Sequence, residues 1–100
     1  MIIRIWNGRV PAAKAQAYLE LMRTVAIPEY SGVPGNLGAW CLHRRIGDIV
    51  HVRMVSRWES HDAIRGFAGE DIARARYFDF DKDFLLDFPA EVEHWEIAGD

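Results

Sequence analysis

Asn7 and Tyr77 are the two residues whose chemistry stands out most clearly from their surroundings in the sequence. Asn7 is an amide in a run of apolar and β-branched residues, and an amide on an apolar strand face needs hydrogen-bond partners. Tyr77 ends a patterned stretch that begins at residue 56, and its phenol can donate a hydrogen bond or a proton. Each residue is interpreted either as a donor to a bound substrate or as a polar group that is satisfied within the fold.

The stretch from residue 56 to residue 77 is predicted to contain a helix, a break and a further helical turn. Ser60 is a suitable N-cap, and the spacing that follows is typical of one apolar helix face. Gly69 interrupts the pattern, and residues 70–76 run from acidic to basic, the charge order that a helix prefers. Tyr77 is therefore expected to end the second helix, on the same side as Phe67. A ligand is expected along this face, which must pack on a sheet.

Metal ligands are not indicated by the spacing of the candidate residues. The four histidines include no helical i, i+4 pair, and a single cysteine, Cys41, cannot build a thiolate site. The acidic run at residues 79–83 resembles the start of a calcium loop, but Phe84 and Ala90 occupy the positions that require Gly and Glu. There is also no phosphate loop, nucleotide fingerprint or nucleophile elbow. We therefore expect no metal and no cofactor.

Length and charge narrow the class of protein. One hundred residues predict one domain, covering residues 1–100. A net charge of −3 argues against binding to nucleic acid, which favours a basic face. The single cysteine fits a reducing compartment, and no run of residues has the length of a membrane span or the pattern of a signal peptide. The expectation is a cytoplasmic protein that binds neither nucleic acid nor a membrane.

The order of the elements predicts a β-α-β-β-α-β chain. Residues 2–10 form a strand, residues 12 to about 27 a helix that Pro28 ends, and residues 31–36 a loop. Strands at residues 37–46 and 49–58 follow, then the helix after residue 60 and a last strand at residues 91–97. This is the ferredoxin-like, α+β arrangement, a four-stranded antiparallel sheet with both helices on one face.

The face of the sheet that each side chain occupies depends on the register of the central hairpin. A two-residue loop at Gly47 and Asp48 would place Leu42 opposite Arg53. One additional loop residue or a bulge would instead gather the apolar residues on one face, and we favour this register. The helix-covered face would then carry Asn7, Trp40, Leu42 and Trp58. The open face would carry Trp6, Arg53 and His94, a mixture that a second copy of the sheet would satisfy, so a homodimer is expected.

Four segments resemble the antibiotic biosynthesis monooxygenase family: the opening strand with Asn7, the SRWES segment, the FAGEDIARARY segment and the closing VEHWEI strand. The resemblance covers essentially the whole chain. It implies a dimeric α+β barrel and, for some members, cofactor-independent oxygenation of aromatic polyketides. A related branch degrades haem with an Asn, a Trp and a ligand His, at positions that correspond to Asn7, Phe67 and Tyr77 here. Because Tyr replaces the His, haem degradation is not expected.

The resemblance implies a small monooxygenase that oxidises an apolar aromatic compound between the sheet and the second helix. Asn7 and Tyr77 would then hold the developing oxyanion as catalytic residues. Phe67, Trp58, Trp40 and Ile64 would form the substrate-binding walls, although the first three are more typical of a core than of a site. Two alternatives stay open: a ligand-binding or stress-response barrel without catalysis, and a haem-binding relative.

Overall fold

The computed structural model describes residues 1–99, so Asp100, the last residue of the predicted domain, lies outside the described residues. Nine segments follow one another along the chain: strand β1 (Ile2–Pro11), helix α1 (Ala12–Leu21), a π-helical turn (Met22–Ala26), helix α2 (Ile27–Ser31), strand β2 (Asn36–Ile46), strand β3 (Ile49–Trp58), helix α3 (His61–Ala68), a 3-10 helix (Asp79–Asp83) and strand β4 (Glu93–Glu96).

The four strands form one antiparallel sheet in the order β2-β3-β1-β4. This is the ferredoxin-like order, and the predicted α+β fold class is confirmed. The helices cover one face of the sheet, and the buried side chains form a single hydrophobic cluster within residues 1–99. Among these residues, no helix has the length and apolar character that crossing a bilayer would require.

The first helical segment continues through Pro28, where we had expected it to end. Helix α1 begins at Ala12. Pro11 has no side chain that could cap the helix, and the Ala12 N–H donates to the Asp48 carbonyl oxygen. Proline has no N–H and its ring crowds the preceding helical turn. The chain relaxes into a π turn just before Pro28, which then takes a place in the first turn of α2.

The central hairpin has the register that we did not favour. Ile46 pairs directly with Ile49, and Leu42 lies opposite Arg53. Gly47, the first residue of the two-residue loop, has a φ of +62°, which suits the first central position of a type II′ turn. A register shift does occur in β2, but it lies at the far end, between Asn36 and Gly38. The predicted bulge was therefore placed at the wrong end of the strand.

Because of this register, several side chains of β2 lie on the opposite face of the sheet from the one that we predicted. Along β3 the buried residues alternate with partly exposed ones, and Val50, Val52, Met54 and Trp58 lie under the helices as predicted. On β2, Cys41 and His43 pair with Met54 and Val52 and share the helix-covered face, whereas Trp40 and Leu42 lie on the open face. Since side chains alternate along a strand, a shift by one residue moves a whole set to the other face.

Candidate functional site

Asn7 and Trp40 lie on the open face of the sheet, so their predicted placement on the helix-covered face is wrong. In β1 the residues that face the helices are Ile2, Arg4, Trp6, Gly8 and Val10, and Asn7 is exposed on the opposite face. Trp40 is 49% exposed on that same open face. Asn7 accepts a hydrogen bond from Arg53 Nε at 2.9 Å, which satisfies its amide oxygen without any substrate.

Three predicted wall residues, Trp58, Ile64 and Phe67, are buried under the helices. Ser60 caps α3 by accepting a hydrogen bond from the Ala63 N–H at 3.1 Å, and the helix directs Ile64 and Phe67 inward. Phe67 stacks on Tyr30 of α2 with 4.1 Å between the ring centroids, and Trp58 is fully enclosed. These three residues therefore lie in the hydrophobic core, beneath the candidate site.

Tyr77 lies in an irregular segment, so the prediction that it ends a helix is wrong. Helix α3 stops at Ala68 because Gly69 adopts a φ of +87°, and the chain then passes through a turn, in which the Arg74 N–H donates to the Asp71 carbonyl oxygen, to a bridge between Arg74 and Glu91. Tyr77 packs edge-on against Trp6, with ring centroids 6.2 Å apart, and its hydroxyl donates to the Pro89 carbonyl oxygen. Burial raises the pKa of Tyr77, whereas the neighbouring Trp6 lowers it, so the phenol stays protonated near neutral pH.

A cavity of about 10 Å³ lies between the sheet, the first helical segment and residues 76–81, and not against the second predicted helix, where the substrate pocket was expected. That volume is close to that of one water-sized probe, so aromatic side chains fill most of the space. The lining combines aromatic rings and thioethers with two charged groups; it consists of Trp6, Tyr18, Met22, Tyr30, Met54, Arg76, Phe78 and Asp81. We call this group of residues the inner site.

The inner site contains a buried phenol–carboxylate pair. Tyr18 donates to Asp81 Oδ1 at 2.8 Å, and the Phe78 N–H donates to Asp81 Oδ2 at 2.7 Å. Asp81 is only 2% exposed, and burial raises its pKa despite these two hydrogen bonds. Burial and the adjacent carboxylate also raise the pKa of Tyr18. A carboxylate that binds its proton more tightly than usual is suited to exchange a proton with a ligand.

The buried Trp6 N–H makes no hydrogen bond of good geometry within the described residues, although it interacts with the Tyr77 hydroxyl closely enough to lower the pKa of that phenol. Its indole ring lies over Gly8, where an added Cβ would stand 2.3 Å from the ring, so glycine makes room for the ring. A buried donor without a well-aligned partner costs free energy and requires an explanation. An oxygen atom of a ligand in the inner site would supply a well-aligned acceptor.

Two arginines bring positive charge to the interior. Arg4, 2% exposed, donates to the carbonyl oxygens of Ile72 and Arg74 and, at 3.1 Å, to His94 Nε2, but forms no ion pair with a described carboxylate. Arg76 lies over the Phe67 ring at 4.5 Å and pairs with Glu29 at 2.9 Å. Burial raises the pKa of Tyr30 to about 12, whereas the positive charges of Arg4 and Arg76 act to lower it. The Asp81 carboxylate acts in the opposite direction and raises the pKa of Tyr30, so the interior charges partly offset one another.

The residues predicted for the dimer interface do not share a face. Trp6 and His94 lie under the helices, since Trp6 pairs with Met54 and His94 with Arg4. Only Arg53 lies on the open face. The open face is instead apolar at Ile3, Ile5, Val55 and three exposed residues, Trp40, Leu42 and Trp95.

Comparison with known proteins identifies the fold. At the level of sequence, no protein-family model and no curated protein matches the chain. Solved structures do match. The haem degrader MhuD from Mycobacterium tuberculosis, with two haems bound, matches at 22% identity over 100% of this chain and 98% of that chain, with a TM-score of 0.61. A candidate antibiotic biosynthesis monooxygenase from Bacillus cereus matches at 18% identity over 95% of this chain and 87% of that chain, with a TM-score of 0.62. The ActVA-Orf6 monooxygenase of Streptomyces coelicolor, in complex with nanaomycin D, matches at 19% identity over 99% of this chain and 88% of that chain, with a TM-score of 0.63.

The chain has the fold of the antibiotic biosynthesis monooxygenases. The resemblance seen in the four sequence segments is confirmed at the level of the fold. Sequence identities below about 25% support no conclusion about function.

Because one of these proteins binds haem, we tested whether the inner site fits that group. A cavity of about 10 Å³ is far too small for a porphyrin, and no imidazole lines it. Residues 1–99 contain no group of three or more His, Cys, Asp or Glu side chains arranged to hold a metal ion. The residues of the inner site therefore do not fit a haem.

Sequence reasoning missed Trp6, Tyr18, Arg76 and Asp81 as site residues. Tyr18 was visible on the apolar stripe of the first helix, and Trp6 alternates with Arg4 and Gly8 along β1. The run FDFDKDF at residues 78–84 could have indicated Asp81, because a carboxylate that is buried among aromatic residues needs hydrogen-bond partners.

Proposed function

We propose that this protein oxidises a small aromatic compound with dioxygen at the inner site, as a monooxygenase. The observation that carries the proposal is the buried Trp6 N–H, which makes no well-formed hydrogen bond within residues 1–99 and lies in a site walled by aromatic rings. Arg76, which lines the inner site, adds positive charge where a substrate oxyanion would develop. The fold shared with two monooxygenase-type proteins supports the same class of reaction.

The reaction we propose converts an activated methylene group, as in an anthrone, into a carbonyl group. The methylene carbon loses two C–H bonds and gains one oxygen atom, while the second oxygen atom leaves as water. The four electrons that reduce dioxygen come from the substrate itself, so the stoichiometry requires no further reductant. The protein has to deprotonate the substrate, stabilise the resulting oxyanion and exclude water.

The chain has groups for each of these tasks. Asp81 accepts the substrate proton through the Tyr18 hydroxyl, with which it already shares a hydrogen bond. The Trp6 N–H donates to the substrate oxygen, and the Tyr77 hydroxyl, which packs beside Trp6, provides a second donor when it leaves the Pro89 carbonyl. The aromatic walls keep the site dry. Substrate entry requires the irregular segment that carries Phe78 and Asp81 to move away from the sheet, because the cavity is nearly filled.

The test is oxygen consumption with an anthrone-type substrate. Trp6→Phe keeps a ring but removes the N–H, and each of Trp6→Phe and Tyr77→Phe is expected to slow turnover by about tenfold to a hundredfold. Trp95→Phe, which changes an indole on the open face, is the matched control and is expected to retain activity. Thermal melts of all three variants separate slow chemistry from lost folding.

Two outcomes would reject the proposal. If the wild type binds anthrone-type compounds but consumes no oxygen, the protein is a ligand-binding barrel. If haemin binds stoichiometrically with a sharp Soret shift, and the Soret band is then lost with a reductant and oxygen, the protein degrades haem and our proposed reaction is wrong. We expect neither, since no imidazole lines the inner site.

We further propose that two copies associate through the open face. A row of apolar side chains crosses this face from Trp40 through Val55 to Ile5, and the next row ends at Trp95, which is 59% exposed. A chain of 100 residues gains from covering such a surface, because exposed apolar area of this kind marks an interaction site. The face also carries Arg57 and Glu93, so a twofold arrangement need not oppose like charges.

A further inference from the structure

Two of the three methionines of the chain line the inner site. Met22 comes from the π-helical turn and Met54 from β3, and each residue is only 2% exposed, whereas Met1 is 46% exposed. Both buried methionines lie on the helix-covered side of the sheet, away from the open face at which a second copy is proposed. Because a thioether can be oxidised to a sulfoxide, the wall of a site that handles dioxygen contains two oxidisable groups.

Met54 is the direct partner of Trp6 in the pairing of β3 with β1. Residues paired in this way have Cβ atoms about 5 Å apart on one face of the sheet, and both side chains line the same small cavity. The Trp6 N–H makes no hydrogen bond of good geometry within residues 1–99. A sulfoxide oxygen on Met54 would be a polar acceptor in the space that this donor lines. The fold therefore provides a donor for the oxidised form of Met54.

The inner site also contains a group that can move the proton which this oxidation requires. When a thioether takes oxygen from a hydroperoxide, a sulfur lone pair attacks the outer oxygen and the O–O bond breaks. The sulfur loses two electrons and the peroxide gains them. The proton of the outer oxygen passes to the inner oxygen, which leaves as an alcohol. The Tyr18 hydroxyl, hydrogen-bonded to Asp81 at 2.8 Å, lines the cavity and can relay that proton.

We propose that Met54 is a site of self-oxidation, which takes one oxygen atom from an aromatic hydroperoxide in the inner site. The inference rests on the proposed function, because dioxygen adding to the substrate carbanion forms that hydroperoxide once it is protonated. The thioether competes with the loss of water that completes the reaction, and each diverted turnover yields an alcohol in place of the carbonyl product. A sulfoxide adds a polar oxygen to a nearly filled cavity, so the modified protein loses activity.

The first test supplies the oxidant directly and needs no turnover. Cumene hydroperoxide is added to the folded protein, and mass spectrometry of its peptides locates each gain of about 16 Da, the mass of one oxygen atom. We expect this gain at Met54 before Met1, the reverse of the order of exposure. Protein unfolded in urea is the control, and it should gain oxygen at all three methionines alike. Oxidation of Met1 before Met54 in the folded protein would overturn the proposal.

The second test uses an anthrone-type substrate under dioxygen labelled with the heavy isotope oxygen-18. Met54 is expected to gain about 18 Da as oxygen is consumed, and no gain is expected without substrate. Met54→Leu conserves volume and removes the thioether, so this variant should complete several-fold more turnovers before activity is lost. Met22→Leu is the matched control, and it should keep both the labelling of Met54 and the early loss of activity.

The two tests separate self-oxidation from the proposed reaction. Oxygen consumption that leaves Met54 unlabelled, or that labels only Met22 or Met1, would overturn the self-oxidation alone. If the wild type consumes no oxygen, the proposed reaction fails. The order in which cumene hydroperoxide oxidises the methionines then still decides whether the inner site transfers oxygen to Met54.

Discussion

Tyr18 donates a buried hydrogen bond to Asp81, with 2.8 Å between the phenol oxygen and Oδ1. The bond joins helix α1 to the 3-10 helix, two elements separated by 63 positions in the chain. Asp81 also accepts the N–H of Phe78, so one carboxylate anchors the irregular segment against the first helix. The same pair lines the inner site, so stability and the proposed reaction would depend on the same atoms.

Removing the phenol oxygen is expected to destabilise the protein. Tyr18→Phe leaves Asp81 Oδ1 buried without its donor, and we expect a loss of about 2 kcal/mol in the free energy of unfolding, measured by urea denaturation. Asp81→Asn keeps the volume and removes a charge that burial already disfavours, so its loss should be smaller. A double variant completes the cycle and should show coupling between the two residues. A Tyr18→Phe protein as stable as the wild type would contradict this account.

His94 is expected to make the fold sensitive to mild acid. Burial, the Arg4 guanidinium and His61 lower the pKa of His94 to about 4, and Arg4 donates to its Nε2. Since the folded protein resists protonating this ring, its contribution to stability is full above a pH of about 6.5 and is lost as the pH falls towards 4. Urea midpoints measured between neutral pH and about pH 4.5 should fall less steeply in His94→Gln. The control is His43→Gln on β2, and equal slopes for His94→Gln and the wild type would contradict the prediction.

The open face is expected to hold two copies together. Light scattering at micromolar concentration should give twice the 11.5 kDa mass of the chain. Trp40→Glu places a charge in the apolar row and should produce a monomer, because a buried unpaired charge strongly disfavours association. Trp6→Phe, a change on the helix-covered face, should leave the mass unchanged. A wild-type monomer under these conditions would reject the interface.

The order of the elements could be predicted from the sequence because local signals determine it. Ser60 caps α3 as expected, Gly69 ends it, and the loop at Gly47 and Asp48 turns the hairpin. These signals act over a few residues, and the topology follows from their order with few alternatives. The fold class, the strand order and the core residues Trp58, Ile64 and Phe67 were accessible in this way.

The face of each strand that meets the helices was decided by tertiary structure alone. Side chains alternate between the two faces of β1, and each face carries both apolar and polar residues. The sequence of β1 alone therefore does not indicate which face the helices cover. Packing against α1 and α3 selects Trp6 and Arg4, because the π turn, Tyr18 and the segment after Gly69 enclose that side. Asn7 and Trp40 are thereby left on the open face. The sequence by itself determined which elements form and in what order, whereas the inner site arises only where residues distant in the chain meet, and no local pattern encodes those contacts.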